Sequence, residues 1–246
     1  MLEAVKSKSF NAVFYRYNSL YLLRRHFRFI GISGELQPAG AGDRPVLYLM
    51  NHSSWWDGLL AYHAAGKSGS REHYFMMEEE QLRKYAFFRK IGAYSINRHS
   101  RGDISTSLRY TARLLQEGGN VWMYPEGELL PLEHRPLLLK EGAALVLRLC
   151  PEAAVVPVTL YHGLFFHSKP EATLLAGAPL IRPWREMDRR SINGLLQDVL
   201  RQQLDEHRHS ILIHKGHVPD GFRPLMTTGK STNEWFDAWR GRGRSL

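Results

Sequence analysis

The chain has 246 residues, of which 43% are hydrophobic and 23% are charged, and its net charge at pH 7 is +9. This composition is ordinary for a folded protein, and the length suits one large α/β domain or two small ones. The single cysteine, Cys150, excludes an internal disulfide and favours a reducing compartment. The positive charge suits an anionic membrane surface, a nucleic acid or an acidic substrate as partner.

Aromatic and aliphatic residues recur at helical spacing near the start of the chain, with several arginines among them. The recurring positions are Phe10, Val13, Phe14, Tyr17, Leu20, Tyr21 and Leu23. An aromatic face beside a basic one predicts an amphipathic helix that lies in a membrane interface. The alternative is an ordinary amphipathic helix packed on its own domain. We expect no spanning helix, because no apolar run reaches about 18 residues. We expect no secretory signal peptide, because Lys6 and Lys8 are not followed by a clean apolar core and small residues.

Strand-like and helix-like segments alternate along the chain. Short apolar runs predict strands at residues 45–50, 73–77, 93–97, 120–124, 155–161 and 173–176. Helical spacing predicts helices at residues 10–29, 56–65, 79–90, 104–117, 140–149 and 190–208. The alternation predicts a single α/β domain in which helices flank a mostly parallel mixed sheet.

The predicted organisation has three parts. Residues 1–35 hold the N-terminal amphipathic helix at the membrane interface, and residues 36–216 form the main α/β domain. Residues 217–246 mix glycine, proline, arginine and tryptophan without periodicity, so we expect a tail that is wrapped on the surface or partly disordered.

The apolar run Val46–Met50 leads directly into Asn51 and His52, and a carboxylate, Asp57, follows five residues later. Active-site residues of α/β proteins tend to lie where a buried strand ends. Histidine titrates near neutral pH and a nearby carboxylate fixes its tautomer, so the pair is typical of a general base with its orienting acid. Five residues do not share a face of one helix, so the pairing needs a turn. The spacing alone also fits a helix cap and a solvated carboxylate.

Two further segments end in a residue that is able to bind a substrate. The strand-like run from Gly92 ends at Arg98, whose guanidinium suits a phosphate group or a plain surface salt bridge. The apolar run from Val121 leads into Glu126 and Gly127. Glu126 is placed to orient an acceptor and the glycine permits close approach of the backbone to a ligand, although a plain turn also explains this sequence.

These segments and a fourth one resemble, in this order, the motifs of the glycerolipid acyltransferase family, which includes the 1-acylglycerol-3-phosphate acyltransferases. The family carries Asn-His-x4-Asp, Gly-x3-(Ile/Phe)-x-Arg, Pro-Glu-Gly-Thr and a Val-Pro-Val-like block. The corresponding segments are Asn51–Asp57, Gly92–Arg98, Pro125–Glu128 and Val155–Val158. Alone, the fourth predicts only a core or edge strand because it contains a proline. The resemblance covers roughly residues 45 to 160.

The resemblance implies an O-acyltransferase that moves a fatty acyl group from acyl-CoA or acyl carrier protein to a lipid hydroxyl, with no metal and no bound cofactor. His52 is implied to be the general base, and Asp57 is implied to hold its imidazole. The substrate-binding residues implied are Arg98, Glu126, Gly127 and Asn51. The acceptor implied is a lysophospholipid of the lysophosphatidate type.

Glu128 departs from the family's third motif, which usually has a threonine followed by arginine or serine. A carboxylate repels a phosphate, so a non-phosphate lipid or a glycolipid is the alternative acceptor. A basic nucleic-acid- or membrane-binding module without catalysis is a more remote alternative. No recognised nucleic-acid motif is present, and nucleic acid is not the expected partner. We expect the protein at the cytoplasmic face of a membrane, bound peripherally to an anionic surface.

Overall fold

The computed structural model describes residues 1–69, 71–226 and 228–241, and within them eight strands form one mixed sheet. The strands are β1 (Phe29–Ser33), β2 (Val46–Met50), β3 (His73–Glu78), β4 (Ala93–Ile96), β5 (Asn120–Met123), β6 (Ala154–Gly163), β7 (Glu171–Ala176) and β8 (Arg223–Pro224). Their order across the sheet is β4-β3-β5-β2-β6-β7-β1-β8. Strands β2 to β6 are mutually parallel, whereas β7 is antiparallel to β6 and β8 to β1. The predicted α/β fold with a mostly parallel mixed sheet is therefore confirmed.

Helices cover both faces of the sheet. They are α1 (Lys8–Tyr17), α2 (Arg24–His26), α3 (Asp57–Ala65), α4 (Glu79–Lys84), α5 (Arg101–Gln116), α6 (Gly142–Leu149), α7 (Arg189–Ile213) and α8 (Thr232–Trp239). Alternate residues of β2 pack into separate cores because neighbouring side chains of a strand point to opposite faces. Tyr48 lies in a core with residues of α1 and α3, and Leu49 lies in a core with residues of α5, α6 and α7.

The N-terminal helix is shorter than predicted and belongs to the domain packing. A π-helical segment, Asn18–Leu23, joins α1 to α2. Phe14, Leu23 and Phe27 are buried in the core, whereas Leu20 is exposed. The sequence analysis missed β1, which follows directly after α2. No helix in the described part of the chain is long and apolar enough to cross a membrane.

The C-terminal segment contains regular secondary structure that packs on the domain. It contributes β8 to the sheet and then forms α8. Ser231 and Glu234 form a capping box at the start of α8, and Glu234 also pairs with Arg28 at 2.6 Å. The predicted tail therefore packs on the domain through residue 241, and residues 242–246 lie outside the described residues.

The directions of the strands place several chain segments at one edge of the sheet. Strands β2 to β6 all end at this edge, which we call the carboxyl edge. Because Met50 pairs with Val158, β6 continues five residues past the end of β2. Strand β7 begins at the same edge, and so does β1, since Phe29 pairs with Glu171. The segments before β1 and between β6 and β7 therefore lie at the same edge as the ends of β2 and β5.

Three buried histidines are held in the neutral form. Burial lowers the pKa of His63, His73 and His207 to about 4. In α7, His207 places Nδ1 3.0 Å from the hydroxyl of Thr159 and Nε2 2.9 Å from the hydroxyl of Thr173. These contacts link the helix to β6 and β7. An imidazole in this position takes up a proton readily only after the chain unfolds.

We expect the free energy of unfolding to fall as the pH is lowered from about 6.5 towards 4, where unfolded histidines bind protons that the buried ones do not. Above the unfolded pKa this contribution is fully present. In His207→Gln the dependence of the free energy of unfolding on pH should be shallower by up to about 1.4 kcal/mol per pH unit, because the unfolded variant has one fewer histidine to bind a proton. Urea unfolding at several pH values measures the slope. His209→Gln, at an exposed position of α7, is the control, and a slope unchanged in His207→Gln would contradict the assignment.

Candidate active site

His52 and Asp57 meet at the carboxyl edge, in the turn between β2 and α3. The imidazole Nδ1 lies 2.9 Å from Oδ2 of Asp57. Asp57 is fully buried, and the same oxygen accepts the backbone N–H groups of Ser53 at 2.6 Å and Ser54 at 2.9 Å. Since α3 begins only at Asp57, the turn brings the two side chains together, as the spacing required.

This geometry assigns different tasks to the two ring nitrogens of His52. Facing a carboxylate oxygen, Nδ1 is the nitrogen that carries the proton in the neutral ring. The lone pair then lies on Nε2. The side chain of His52 is 26% exposed, so a molecule at the carboxyl edge is able to reach the ring. The arrangement suits the removal of a proton from a bound hydroxyl.

Glu126 supports His52 from the end of β5. Its Oε2 accepts the backbone N–H of His52 at 2.8 Å, and the residue is almost completely buried. Burial raises the pKa of the Glu126 carboxyl to about 7, and the nearby Asp57 carboxylate adds to the rise. The sequence analysis expected Glu126 to contact substrate. In the structure its carboxylate accepts the backbone N–H of His52, and the substrate contact stays a prediction.

Gly127 is required by the turn that follows Glu126. Its φ is +75°, a region that favours glycine, and a Cβ added there would lie 3.2 Å from Cγ of Lys140. Its N–H donates to the carbonyl of Tyr124 at 3.1 Å, which closes the turn. The glycine thereby allows β5 to end with Glu126 directed at His52.

Tyr124 is a site residue that the sequence analysis did not single out. Its ring stacks on His52 with the centroids 4.3 Å apart and the planes 26° apart. Burial raises the pKa of its hydroxyl well above the ordinary value, and the Asp57 carboxylate adds to the rise. The register of β2 and β5 explains why Tyr124 lies beside His52. Leu49 pairs with Met123, so the residues just beyond these two strand ends are neighbours.

Asn51 joins two strands beneath the site. Its side-chain amide donates to the carbonyl of Leu160 at 3.0 Å and accepts the N–H of the same residue at 2.8 Å. Asn51 is buried, so it holds the end of β2 against β6. The predicted substrate contact of Asn51 stays a prediction. In β6, Pro157 pairs with Leu49 in the sheet interior, so the core alternative for this segment is correct.

Arg98 lies at the carboxyl edge after β4 and has protein partners. Its Nε and Nη2 donate to Oε1 of Glu78 at 3.1 Å and 2.6 Å, and Nη1 donates to the carbonyl of Gly127. The salt-bridge alternative for Arg98 is thus present in the structure. Glu128, the residue that departs from the family motif, is exposed directly after Gly127. The arginine that was expected to bind a phosphate is therefore paired with the carboxylate of Glu78, and Glu128 follows in sequence the glycine whose carbonyl the arginine contacts.

Comparison with known proteins identifies one family. Residues 30–161, more than half of the chain, match the model of a family described as Acyltransferase. The matched range runs from β1 into β6 and includes both His52 and Asp57. No curated protein matches the chain.

We expect the difference in free energy of unfolding between Glu126→Gln and the unmodified protein to depend on pH. It should favour the variant by up to about 3 kcal/mol more at about pH 8 than at about pH 4.5. The folded pKa of Glu126 is raised, so its contribution to stability is greatest below the unfolded pKa and is lost as the pH rises through 7. Glutamine keeps an acceptor for the His52 N–H and does not titrate. Urea unfolding of both proteins at the two pH values measures the difference.

The matched control is Glu128→Gln, because Glu128 is exposed two residues away. Its stability difference should be nearly the same at both pH values. If Glu126→Gln behaves like this control, burial does not raise the pKa of Glu126 as described.

Proposed function

Because the chain belongs to the Acyltransferase family, we propose that it transfers a fatty acyl group from a thioester, acyl-CoA or acyl carrier protein, to a hydroxyl of a lipid. The observation that carries this proposal is the 2.9 Å contact between Nδ1 of His52 and the buried carboxylate of Asp57. The four sequence motifs that resemble those of glycerolipid acyltransferases are consistent with it, and all four lie within the matched range, residues 30–161.

In the proposed reaction His52 is the general base. Its Nε2 takes the proton of the acceptor hydroxyl, and the oxygen attacks the carbonyl carbon of the thioester. The carbon–sulfur bond then breaks, an ester forms, and the sulfur leaves as a thiol after it takes the proton back from the imidazolium. Asp57 stabilises the imidazolium through Nδ1, and Glu126 and Tyr124 hold the residue in position. No acyl-enzyme is needed.

A lysophospholipid of the lysophosphatidate type is the first candidate acceptor. The support is the resemblance to 1-acylglycerol-3-phosphate acyltransferases and the position of Arg98 at the carboxyl edge. A phosphate would bind there by replacing Glu78 as the partner of the guanidinium, with Gly127 and Asn51 close to the same edge. Exchange of one charge-assisted partner for another is feasible at a side chain that is 40% exposed.

A lipid hydroxyl without phosphate, such as that of a glycolipid, is the second candidate acceptor. The observation in its favour is that Glu78 and the Gly127 carbonyl already satisfy Arg98. A phosphate would have to displace Glu78 and also approach the exposed carboxylate of Glu128. A neutral headgroup meets neither obstacle.

We also propose that the N-terminal segment binds an anionic membrane surface, which supplies the lipid acceptor. Tyr17, Leu20 and Tyr21 are exposed, and Arg24 and Arg25 are exposed beside them. Such a combination favours the interface between headgroups and acyl chains. The buried residues of the same segment attach this surface to the domain.

Substitution of His52 by alanine is expected to abolish acyl transfer, with kcat lowered by at least about a hundredfold, because the acceptor hydroxyl loses its base. The measurement is thiol release from acyl-CoA in the presence of a panel of lysolipids and neutral lipid alcohols. The control is His209→Ala, which should retain activity, and circular dichroism checks that both variants are folded. Turnover retained by His52→Ala would refute the assignment.

The role of Arg98 separates the two candidate acceptors. For a lysophosphatidate acceptor, Arg98→Ala is expected to raise KM by about tenfold or more, because a charge-assisted contact with phosphate is lost. For a neutral acceptor the same variant should change KM little. Arg83→Ala is the matched control, since Arg83 forms a comparable salt bridge with Glu79 on α4. Faster turnover of neutral lipid alcohols, with no effect of Arg98→Ala, would replace the first candidate by the second.

A further inference from the structure

Three segments that each carry exposed large apolar side chains lie at or near the carboxyl edge of the sheet, and we call them together the aromatic rim. They are residues 18–23, residues 164–166 and α8. In α8, Trp235 is 64% exposed and Trp239 is 80% exposed. Leu20 and Leu164 are each 66% exposed in the other two segments. Large apolar side chains with such exposure usually mark a surface that binds something.

The topology brings the aromatic rim towards the edge of the sheet that carries His52. Residues 18–23 precede α2 and the start of β1, and residues 164–166 follow the end of β6. Both of these strand ends are at the carboxyl edge, where the imidazole lies. The side chain of His26, just after the first segment, packs on Trp56 of the His52 turn with ring centroids 5.0 Å apart. The hydroxyl of Ser53 lies 3.3 Å from Nε2 of His162, near the end of β6.

Helix α8 is fixed to the same edge by polar contacts at its N-terminal end. The backbone N–H of Thr232 donates to the hydroxyl of Ser168 at 3.1 Å, and the side chain of Asn233 donates to the carbonyl of Phe166 at 3.1 Å. The ion pair of Glu234 with Arg28 adds a third attachment. These contacts hold the polar side of the helix on the domain and leave its tryptophans exposed.

Basic side chains surround the aromatic rim. Arg24 and Arg25 are exposed next to the first segment, and Lys230 and Arg240 are exposed at the two ends of α8. The Lys230 ammonium lies 5.8 Å from the centre of the Trp235 ring. Tryptophan and tyrosine prefer the interfacial layer of a bilayer, and lysine and arginine there meet anionic headgroups. In a symmetric dimer the same cations would face one another, which disfavours a second copy as the occupant.

We propose that α8 and residues 164–166 bind an anionic bilayer together with residues 18–23, so that the aromatic rim sets the carboxyl edge against the lipid surface. The N-terminal segment alone would attach the protein at one point, whereas three segments around the site also fix its orientation. The inference rests on the proposed function in one respect. The orientation is useful because it gives a lipid hydroxyl access to His52.

The test is binding of the full chain to vesicles of phosphatidylcholine with and without phosphatidylglycerol, measured by co-sedimentation. The double variant Trp235→Ala and Trp239→Ala is expected to bind the anionic vesicles at least about tenfold more weakly. Leu20→Ser and Leu164→Ser should each weaken binding as well, and they test the rim independently of the folding of α8. The matched control is Leu149→Ala, at an exposed position on the opposite edge, which should bind like the unmodified protein.

Two further measurements separate this inference from the proposed function. His52→Ala should bind vesicles normally, so loss of chemistry leaves the rim testable. The double tryptophan variant should retain turnover of a water-soluble, short-chain acceptor. Unchanged vesicle binding by the double variant and by Leu164→Ser would overturn the proposal, and so would a dimer, seen by analytical ultracentrifugation, that these substitutions dissociate.

Discussion

The turn between β2 and α3 depends on the buried carboxylate of Asp57. A carboxylate without partners costs several kcal/mol in a protein interior, so this residue needs hydrogen-bond donors there. The N–H groups of Ser53 and Ser54 and the ring of His52 supply them, all at Oδ2. Asp57 also begins α3, where a negative charge is favourable and where Trp56 provides no side-chain cap. One set of contacts thus shapes the turn and selects the tautomer of His52.

A second carboxylate acts on the same histidine from the neighbouring strand. Glu126 holds the backbone N–H of His52, Asp57 holds the ring, and Tyr124 stacks on it. Both Tyr124 and Glu126 follow β5, which is parallel to β2 and adjacent to it, so the ends of two strands suffice to hold His52 in position. Burial of Glu126 beside Asp57 is unfavourable for its ionised form. The domain therefore gives up some stability near neutral pH at the position that orients His52.

The sequence predicted those features of the fold and the site that depend on residues close together in the chain. The apolar runs of the central strands were recognisable because both faces of these strands are buried. Strand β1 was missed because it is a short run that directly follows the helix predicted at residues 10–29 and pairs with β7 and β8, far away in the chain. Helix α8 was missed because its contacts lie with Ser168 and Arg28, which are also distant in sequence. The pairing of His52 with Asp57 was expected from one turn. The contacts of Asn51 and Glu126 were not, because they depend on the register of neighbouring strands.

The strand directions that gather the site also bring the segment before β1 and helix α8 to the same edge of the sheet. Since β1 starts at the carboxyl edge and β8 is antiparallel to β1, the segment before the first strand and the helix after the last one meet beside the ends of β2 and β6. If the aromatic rim binds a bilayer, the membrane supplies part of the affinity for a lipid acceptor. The headgroup then needs fewer contacts of its own. The salt bridge between Arg98 and Glu78 is compatible with this arrangement. If the bilayer brings the hydroxyl to His52, the site does not need to recognise the charge of the headgroup.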